Sequence, residues 1–370
     1  MAAQASCSAA LACGAASFRA PRTDAYLNVI VSYFNPQRYA RRPQLHAELM
    51  ARLAPLEASG RVRLFIVEAA LPGQRYEVTR PEGPQHLQLR IPAPFFCKEA
   101  LVNAAVARLL VGDPAPIAWM DGDLTFVNDA WVDDALAALA VHPIVQLFES
   151  AHDLGARGEL HGTPSVSLGA AHQAWLREHA FSPLEPDAPP PPYVMGAHPG
   201  YVWAMTRDAW DALGGLFPYA VCGGGDRLMA AALLGYADAA LPPGASPRYA
   251  AALKAWAAGA GDWGRSLGYV PGTVIHGFHG SKGKRSYKAR MGIFEVTNYD
   301  PTRDTRTVDG VLQLAPSATE LARRIGAYLA SRDEDSRPLR DDAPPANGRA
   351  PAGKKKKRKR EADEASPPSS

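Results

Sequence analysis

Two carboxylates one residue apart are the side chains best suited to chemistry in this sequence. Asp121 and Asp123 follow the apolar segment 116–120, and a buried strand there would deliver both to its C-terminal edge. Carboxylate oxygens are the ligands that Mg²⁺ and Mn²⁺ prefer, and either ion can bridge to phosphate oxygens. Aspartate and glycine also favour turns, so a purely structural role stays open. We predict that Asp121 and Asp123 bind a divalent metal.

Two histidines three residues apart form the second signal. His276 and His279 follow a short apolar strand, and a glycine comes after each of them. An imidazole nitrogen can complete a divalent metal site, and glycine lets the backbone approach a diphosphate. Lys282 adds a nearby cation. The alternative is a pair of loop histidines beside a solvated basic face. We expect both histidines to bind metal, with His279 favoured over His276.

A glycine-rich loop supplies a further carboxylate. Residues 222–226 read Cys-Gly-Gly-Gly-Asp, and a helix is predicted over 227–235. Gly224 and Gly225 would let a ligand come close to the backbone. Asp226 is then a candidate general base that removes a proton from a reacting hydroxyl. Aspartate is also a common helix N-cap, which is the alternative role.

Two further groups of side chains could touch a ligand. Lys98 and Asn103 lie on a helix predicted over 97–110 and could reach a nucleotide phosphate or base, or be ordinary surface residues. His198, Tyr201 and Trp203 could stack on a sugar ring or a base. The alternation from residue 201 to 203 fits core packing equally well.

The elements that must position these residues alternate along the chain. Strands are predicted at 26–34, 61–68, 116–121 and 143–148, and helices at 43–58, 97–110 and 129–140. Such alternation indicates an α/β fold with a mostly parallel sheet and helices on both faces. Ligands of these sheets bind at the C-terminal ends of the strands. The candidate residues fit that edge.

The composition is that of an ordinary globular chain with a basic end. The 370 residues are 47% hydrophobic and 21% charged, which allows a real core. The net charge is +3, but residues 353–370 hold seven basic and three acidic residues, which leaves the preceding chain at −1. That balance argues against a basic nucleic-acid-binding domain. Four scattered cysteines give no disulfide framework, and no apolar run reaches the roughly 18 residues of a membrane helix, so no membrane partner is expected.

The two ends of the chain differ from its body. Residues 1–23 contain no acidic residue and are predicted to be a disordered leader or an organelle transit peptide. A single domain is predicted over 24–330, and residues 331–370 are predicted to be a disordered tail. The basic run 354–360 indicates nuclear import or DNA contact, or else a solvated charge run. We therefore predict a nuclear protein, with the cytoplasm or an organelle as the alternative.

Taken in chain order, these motifs resemble a GT-A glycosyltransferase of the β-1,4-galactosyltransferase-like branch. The order runs from a first strand ending near Ser32 and Tyr33, through the helix at 97–110 and the Asp-x-Asp pair, to the glycine loop and the late histidines. The resemblance covers about residues 26–300. That branch carries an acidic cluster after its glycines, where this chain has Asp226 alone. The strings at 84–90, 119–123, 198–203 and 276–280 are also similar to the glycosyltransferases that accompany TET/JBP base oxygenases.

The resemblance implies a GT-A (Rossmann-like) domain that moves a hexose from a UDP-sugar, UDP-glucose or a related donor, to an acceptor hydroxyl with inversion. The implied acceptor is a hydroxymethylated pyrimidine in DNA. Mn²⁺ or Mg²⁺ would be held by Asp121, Asp123, His276 and His279, and Asp226 would be the base. The donor would be bound by Ser32, Tyr33, Lys98, Asn103, Asp121 and Lys282, and the acceptor by His198, Tyr201, Trp203, Gly224 and Gly225.

Three other hypotheses stay open. The same fold would serve glycan, protein or small-molecule acceptors. Residues 121–125 also fit the Asp-x-Asp-x-Thr opening of haloacid dehalogenase-like phosphatases, although about a hundred residues precede the motif and no clear downstream Gly-Asp-x-x-x-Asp follows. A non-catalytic nucleic-acid-binding protein would use the basic tail, but the −1 body fits that role poorly.

Overall fold

A computed structural model of the protein describes residues 25–179, 189–280 and 287–335. Its strands are β1 (Leu27–Phe34), β2 (Val62–Ala70), β3 (His86–Arg90), β4 (Ile117–Met120), β5 (Leu124–Phe126), β6 (Ile144–Gln146), β7 (Ser150–Leu154), β8 (Leu160–Val166), β9 (Val202–Met205), β10 (Leu267–Tyr269), β11 (Thr273–His276), β12 (Thr305–Val308) and β13 (Val311–Leu314). Its helices are α1 (Arg41–Ala58), α2 (Lys98–Leu109), α3 (Trp131–Leu139), α4 (Leu168–Glu178), α5 (Pro192–Gly196), α6 (Arg207–Leu213), α7 (Gly225–Leu233), α8 (Ala237–Ala240), α9 (Pro247–Ala258), α10 (Tyr287–Thr297), α11 (Pro301–Asp304) and α12 (Thr319–Ser331). The predicted leader 1–23, Lys282 and the basic run 354–360 lie outside the described residues.

The main sheet confirms the predicted α/β class. Its seven strands stand in the order β3-β2-β1-β4-β9-β6-β10. Every neighbouring pair is parallel except those of β9, which is antiparallel to β4 and to β6. The strand order reverses between β1 and β4, and the carboxyl ends of strands at such a reversal form a ligand crevice in open α/β sheets.

Alternating side chains of β1 show that helices cover both faces of the sheet. Val29 and Val31 pack in one buried cluster with leucines of α1. Ile30, between them, packs in a second buried cluster that includes Leu101 of α2. Successive strand residues point to opposite faces, so each face needs its own helical layer. The core is therefore divided in two by the sheet.

A second, four-stranded sheet lies beside the first in the order β5-β11-β7-β8. Strand β11 is antiparallel to β5 and parallel to β7. Because β5 begins directly after the Asp121–Asp123 turn, this pairing carries His276, the last residue of β11, to that turn. The sheet thus joins the two motifs that the sequence separates.

The packed chain continues past the predicted domain end at residue 330. Arg332 and Glu334 are 7% and 1% exposed, although the sequence analysis placed both in the disordered tail. Asp335 accepts hydrogen bonds from the backbone N–H groups of Ala40 (2.8 Å) and Arg41 (2.9 Å). Residues 332–335 are therefore part of the domain, and we call them the C-terminal strap. Among the described residues, no helix has the length and apolarity needed to cross a membrane.

Candidate active site

The Asp121–Asp123 turn lies at the carboxyl end of β4, where the strand order reverses. Two backbone hydrogen bonds hold it: the N–H of Asp121 donates to the Tyr201 carbonyl (2.9 Å), and the Asp123 carbonyl accepts from the N–H of Gly277 (2.8 Å). A Cβ on Gly277 would lie 2.6 Å from the Leu45 side chain and 3.2 Å from the Asp123 carbonyl oxygen, so the two segments are in close contact. The turn and the histidine loop are thus fixed against each other.

Asp123, His276 and His279 converge as a candidate metal centre. Oδ2 of Asp123 lies 3.1 Å from Nε2 of His279 and 3.4 Å from Nε2 of His276. The two Nε2 atoms are 3.3 Å apart. The buried Oδ1 of Asp123 has no hydrogen-bond partner among the described residues. Three ligand atoms facing one point, with a spare carboxylate oxygen, are what a divalent ion requires.

The two neighbouring histidines keep the carboxyl group of Asp123 ionised. Burial alone would raise the pKa of this carboxyl, but the two imidazoles outweigh burial and hold the pKa well below its usual range. Asp123 is therefore ionised at neutral pH. The structure brings the predicted ligands Asp123, His276 and His279 together.

Asp121, the fourth predicted ligand, is not part of this cluster. Its Oδ1 lies 3.2 Å from Nζ of Lys98, the first residue of α2. The same ammonium lies 2.8 and 2.9 Å from the two carboxylate oxygens of Asp226. Burial would lower the pKa of Lys98, but Asp121, Asp226 and Glu99 outweigh it and raise that pKa. Lys98 is thus a charged bridge between the predicted metal motif and the predicted base.

Asp226 is the second residue of α7, directly after the glycine loop. Gly223 and Gly224 take the left-handed conformation at φ +82° and +86°, which places the start of α7 against the cavity. The Asp226 side chain is 18% exposed and lines the cavity. Glu99 lies behind it against Gly225 and is almost fully buried, and burial raises the pKa of Glu99 to about 7.

Tyr201 links the aromatic motif to the metal centre. Its ring stacks between His198 (4.0 Å between centroids) and His276 (4.9 Å). Its hydroxyl donates to Oδ1 of Asp153 at 3.3 Å. The backbone of Tyr201 has φ +79°, which is costly for a residue with a side chain and is concentrated at functional sites. Trp203 instead is 4% exposed and donates from Nε1 to the Pro199 carbonyl, so it packs in the core rather than facing the cavity.

Some of the other residues predicted to bind the sugar donor or the acceptor line the cavity, and others do not. Ser32 lines the cavity, as do His198, Gly224 and Gly225. Tyr33 is buried and donates its hydroxyl to Glu77 at 2.6 Å, away from the cavity. Asn103 exchanges two hydrogen bonds of 2.8 Å with the backbone of Leu216, so it braces the loop after α6 and touches no ligand space.

The cavity joins these groups. Its volume is about 840 Å³, and His276, His279, Lys98 and Asp226 line it. Four arginines also line it: Arg42, Arg227, Arg290 and Arg332. Several residues at the site could not be recognised from the sequence, because no short motif marks them. They are Arg42, Glu99, Asp153, Arg332 and Glu334. The fold alone brings them to the site.

Comparison with known proteins gives limited similarity. No protein-family model and no curated protein matches the chain. Among solved structures, the catalytic domain of Drosophila beta1,4-galactosyltransferase 7 in complex with xylobiose is 14% identical over 52% of this chain, with a TM-score of 0.24. The match spans about half (53%) of that domain. A candidate nucleotide-diphospho-sugar transferase from Desulfovibrio desulfuricans G20 is 10% identical over 83% of this chain and 98% of its own, with a TM-score of 0.29. At these TM-scores neither similarity bears on the reaction, which is argued below from the site.

Proposed function

We propose that this protein is a metal-dependent glycosyltransferase that moves a hexose from a nucleotide diphosphate sugar to an acceptor hydroxyl. One observation carries the proposal: the histidines of the metal cluster and the carboxylate of Asp226 line one cavity at the carboxyl ends of β1 and β4. A cavity of about 840 Å³ lies within the usual size range of small-molecule sites. It offers an ion for a leaving diphosphate and a base for an incoming hydroxyl.

The metal ligands favour a transition-metal ion such as Mn²⁺ over Mg²⁺. Mg²⁺ takes oxygen ligands, whereas two of the three candidate ligand atoms are imidazole nitrogens. Asp123, His276 and His279 would hold the ion, which supplies positive charge to the leaving diphosphate. Asp121 lies outside this cluster and pairs with Lys98 instead.

Cationic side chains suit the diphosphate. The guanidinium groups of Arg42, Arg290 and Arg332 line the cavity. Guanidinium forms charge-assisted hydrogen bonds with phosphate oxygens. Arg42 and Arg332 already donate to Glu334. Arg290 supports binding of the donor by its diphosphate, with the sugar directed toward Asp226.

Asp226 would act as the general base. Its carboxylate accepts the proton of the acceptor hydroxyl while the acceptor oxygen forms a bond to the anomeric carbon. The bond from that carbon to the diphosphate oxygen breaks, and its electron pair leaves with the diphosphate. A single displacement inverts the anomeric carbon. Lys98 fixes the Asp226 carboxylate at the cavity wall through both of its oxygens.

We extend the proposal to a UDP-hexose donor and a hydroxymethylated pyrimidine in DNA as acceptor. The run of seven basic residues at 354–360 supports a polyanionic acceptor and a nuclear location. The partly exposed ring of His198 at the cavity supports an acceptor with a flat ring. Glycan, protein and small-molecule hydroxyls are the alternatives.

The test is a donor and acceptor panel. Purified protein with Mn²⁺ is given UDP-glucose and related UDP-sugars, with and without duplex DNA carrying 5-hydroxymethylpyrimidines. We expect metal-dependent release of UDP and one added hexose on the modified nucleoside by mass spectrometry. UDP release without DNA product would move the acceptor to another class. Phosphate release from a generic phosphoester, with no use of any sugar nucleotide, would overturn the proposal in favour of a phosphatase.

A further inference from the structure

Each imidazole of the metal centre has a carboxylate on its other nitrogen. Nδ1 of His276 lies 3.0 Å from Oδ1 of Asp153. Nδ1 of His279 lies 3.3 Å from Oε2 of Glu334, at ion-pair distance but short of hydrogen-bond geometry. In a neutral imidazole only one nitrogen carries a proton, and a carboxylate can only accept. A proton held at Nδ1 leaves Nε2 with a lone pair facing Asp123.

Asp153 is placed by the small sheet. It is the register partner of His276 in the parallel pair β7–β11. The same Oδ1 accepts the hydroxyl of Tyr201, whose ring stacks on His276. Tyr201, whose backbone is strained at φ +79°, therefore restrains the His276 ring in two ways. Its ring stacks on the imidazole, and its hydroxyl binds the carboxylate that faces Nδ1 of His276.

Glu334 is placed by the C-terminal strap. Its side chain is fully buried, and both oxygens bind guanidinium groups: Arg42 donates from Nε (2.6 Å) and Nη2 (2.8 Å), and Arg332 donates from Nε (2.6 Å). Bidentate pairing of this kind fixes a carboxylate in position. A Cβ on Gly280 would lie 2.9 Å from the Asp333 carbonyl oxygen and from Cα of Glu334, so the histidine loop and the strap are in direct contact.

We propose that Asp153 and Glu334 are positioning residues of the metal centre, each holding one histidine as the tautomer that presents a bare Nε2 to the ion. The inference rests on the metal centre of the proposed function and adds the C-terminal strap to that centre. Carboxylates on the far nitrogen of metal-binding histidines commonly act in this way, and their loss typically lowers metal affinity about 10–100-fold.

The experiment measures metal binding, not transfer. Mn²⁺ is titrated by EPR into the full-length protein and into the variants Asp153→Asn and Glu334→Gln. We expect each variant to bind Mn²⁺ roughly 10–100-fold more weakly. The control is Glu77→Gln, another partly buried carboxylate paired with an arginine (Arg38, 2.7 Å) but with no histidine partner at the centre. It should bind like the wild type. Affinities within about twofold of wild type for both folded variants would overturn the proposal.

A second readout does not depend on the variants being folded. Long-range ¹H–¹⁵N spectra of the wild-type protein loaded with Zn²⁺, a diamagnetic ion that imidazole also binds, report the tautomers of His276 and His279. We expect the proton on Nδ1 of both rings. A proton on Nε2 of either ring would overturn the proposal for that pair. Mn²⁺ binding of the expected strength without any sugar transfer would contradict the proposed function and leave this inference standing.

Discussion

Nζ of Lys98 lies 2.8 Å from Oδ2 of Asp226, and the same ammonium lies 3.2 Å from Oδ1 of Asp121. The two carboxylates come from the end of β4 and the start of α7, and Lys98 begins α2. One partly buried cation therefore joins three elements around the cavity. Without it, two carboxylates would share a poorly solvated space without an opposing charge.

Replacing Lys98 tests this bridge. Lys98→Met leaves Asp226 without its fixed partner. Burial raises the pKa of Asp121 and Lys98 opposes that rise, so the substitution should raise the pKa of Asp121 further. Because hydrogen bonds to charged groups contribute about 1.5–3 kcal/mol, we expect turnover to fall roughly 10–100-fold. Steady-state rates measure the fall in turnover, and an NMR titration of the Asp121 carboxyl measures the rise of its pKa.

The control for Lys98 is Lys254→Met, which removes an exposed lysine paired with Asp238 at 2.7 Å. Its rate and the pKa of its Asp121 should match wild type. A Lys98→Met enzyme with an unchanged rate would show that the bridge has no part in turnover.

Asp226→Asn tests the base. The amide keeps the shape but cannot accept the acceptor proton, and general base catalysis typically contributes about 10²–10⁴-fold. We expect turnover to fall by that factor while Mn²⁺ affinity stays unchanged, because Asp226 lies outside the metal cluster. Single-turnover transfer and EPR titration measure the two quantities. Asp211→Asn, which removes an exposed carboxylate paired with Arg207, is the control. Full activity in Asp226→Asn would refute the assignment.

The buried carboxyl of Glu99 should make the free energy of unfolding depend on pH. Burial raises the pKa of Glu99 from 4.5 to about 7. The folded state therefore binds this proton more tightly than the unfolded state, so the contribution of Glu99 to the free energy of unfolding falls as pH rises from about 4.5 to 7. The loss is on the order of 3 kcal/mol. Glu99→Gln should remove it.

Urea unfolding at pH 5 and pH 8 measures this difference. We subtract the free energy of unfolding of the wild type from that of Glu99→Gln at each pH. This difference should be more positive at pH 8 than at pH 5. Glu178→Gln, at an exposed position at the end of α4, should follow wild type at both pH values. An equal difference between Glu99→Gln and wild type at the two pH values would contradict the buried, protonated state of Glu99.

Gly280→Ala tests the contact between the histidine loop and the C-terminal strap. The new Cβ would meet the Asp333 carbonyl oxygen at 2.9 Å in a backbone at φ +85°. We expect the strap to shift and Mn²⁺ affinity to fall about 10-fold or more, as for loss of a carboxylate partner. Gly310→Ala is the matched control, because Gly310 has φ +73° and nothing within 4 Å of its Cβ position. It should lose about 1–2 kcal/mol of stability and keep its Mn²⁺ affinity, whereas equal affinities in both variants would contradict the contact.

Much of the fold could be predicted because buried parallel strands are continuous apolar runs. The strand predicted at 26–34 is Leu27–Phe34, and the helix predicted at 43–58 is Arg41–Ala58. The antiparallel insertion of β9 between β4 and β6 could not be predicted, because it depends on pairing between distant segments. Local periodicity carries no information on that choice.

The site, like the fold, could be predicted from the sequence only in part. Lys98 and Asn103 are five residues apart, which is about 140° around a helix, so they cannot both face one ligand. Lys98 faces the cavity and Asn103 braces Leu216. Asp121 and Asp123 look equivalent in sequence. Their roles differ because Lys98 of α2 contacts Asp121, whereas the histidine loop contacts Asp123. Glu334 follows a helix and precedes a charged, proline-rich tail, so composition masked its buried pairing with Arg42.

Calorimetric titration of UDP into the protein, with and without Mn²⁺, most directly tests whether the metal centre binds the donor diphosphate. We expect UDP to bind in the presence of Mn²⁺ and a chelator to weaken that binding strongly. Asp123→Ala should show the weak binding even with Mn²⁺. The control Asp129→Asn, at an exposed position outside the cluster, should bind like wild type. UDP binding that is equally strong without metal, or unchanged in Asp123→Ala, would contradict a metal centre that works on the donor diphosphate.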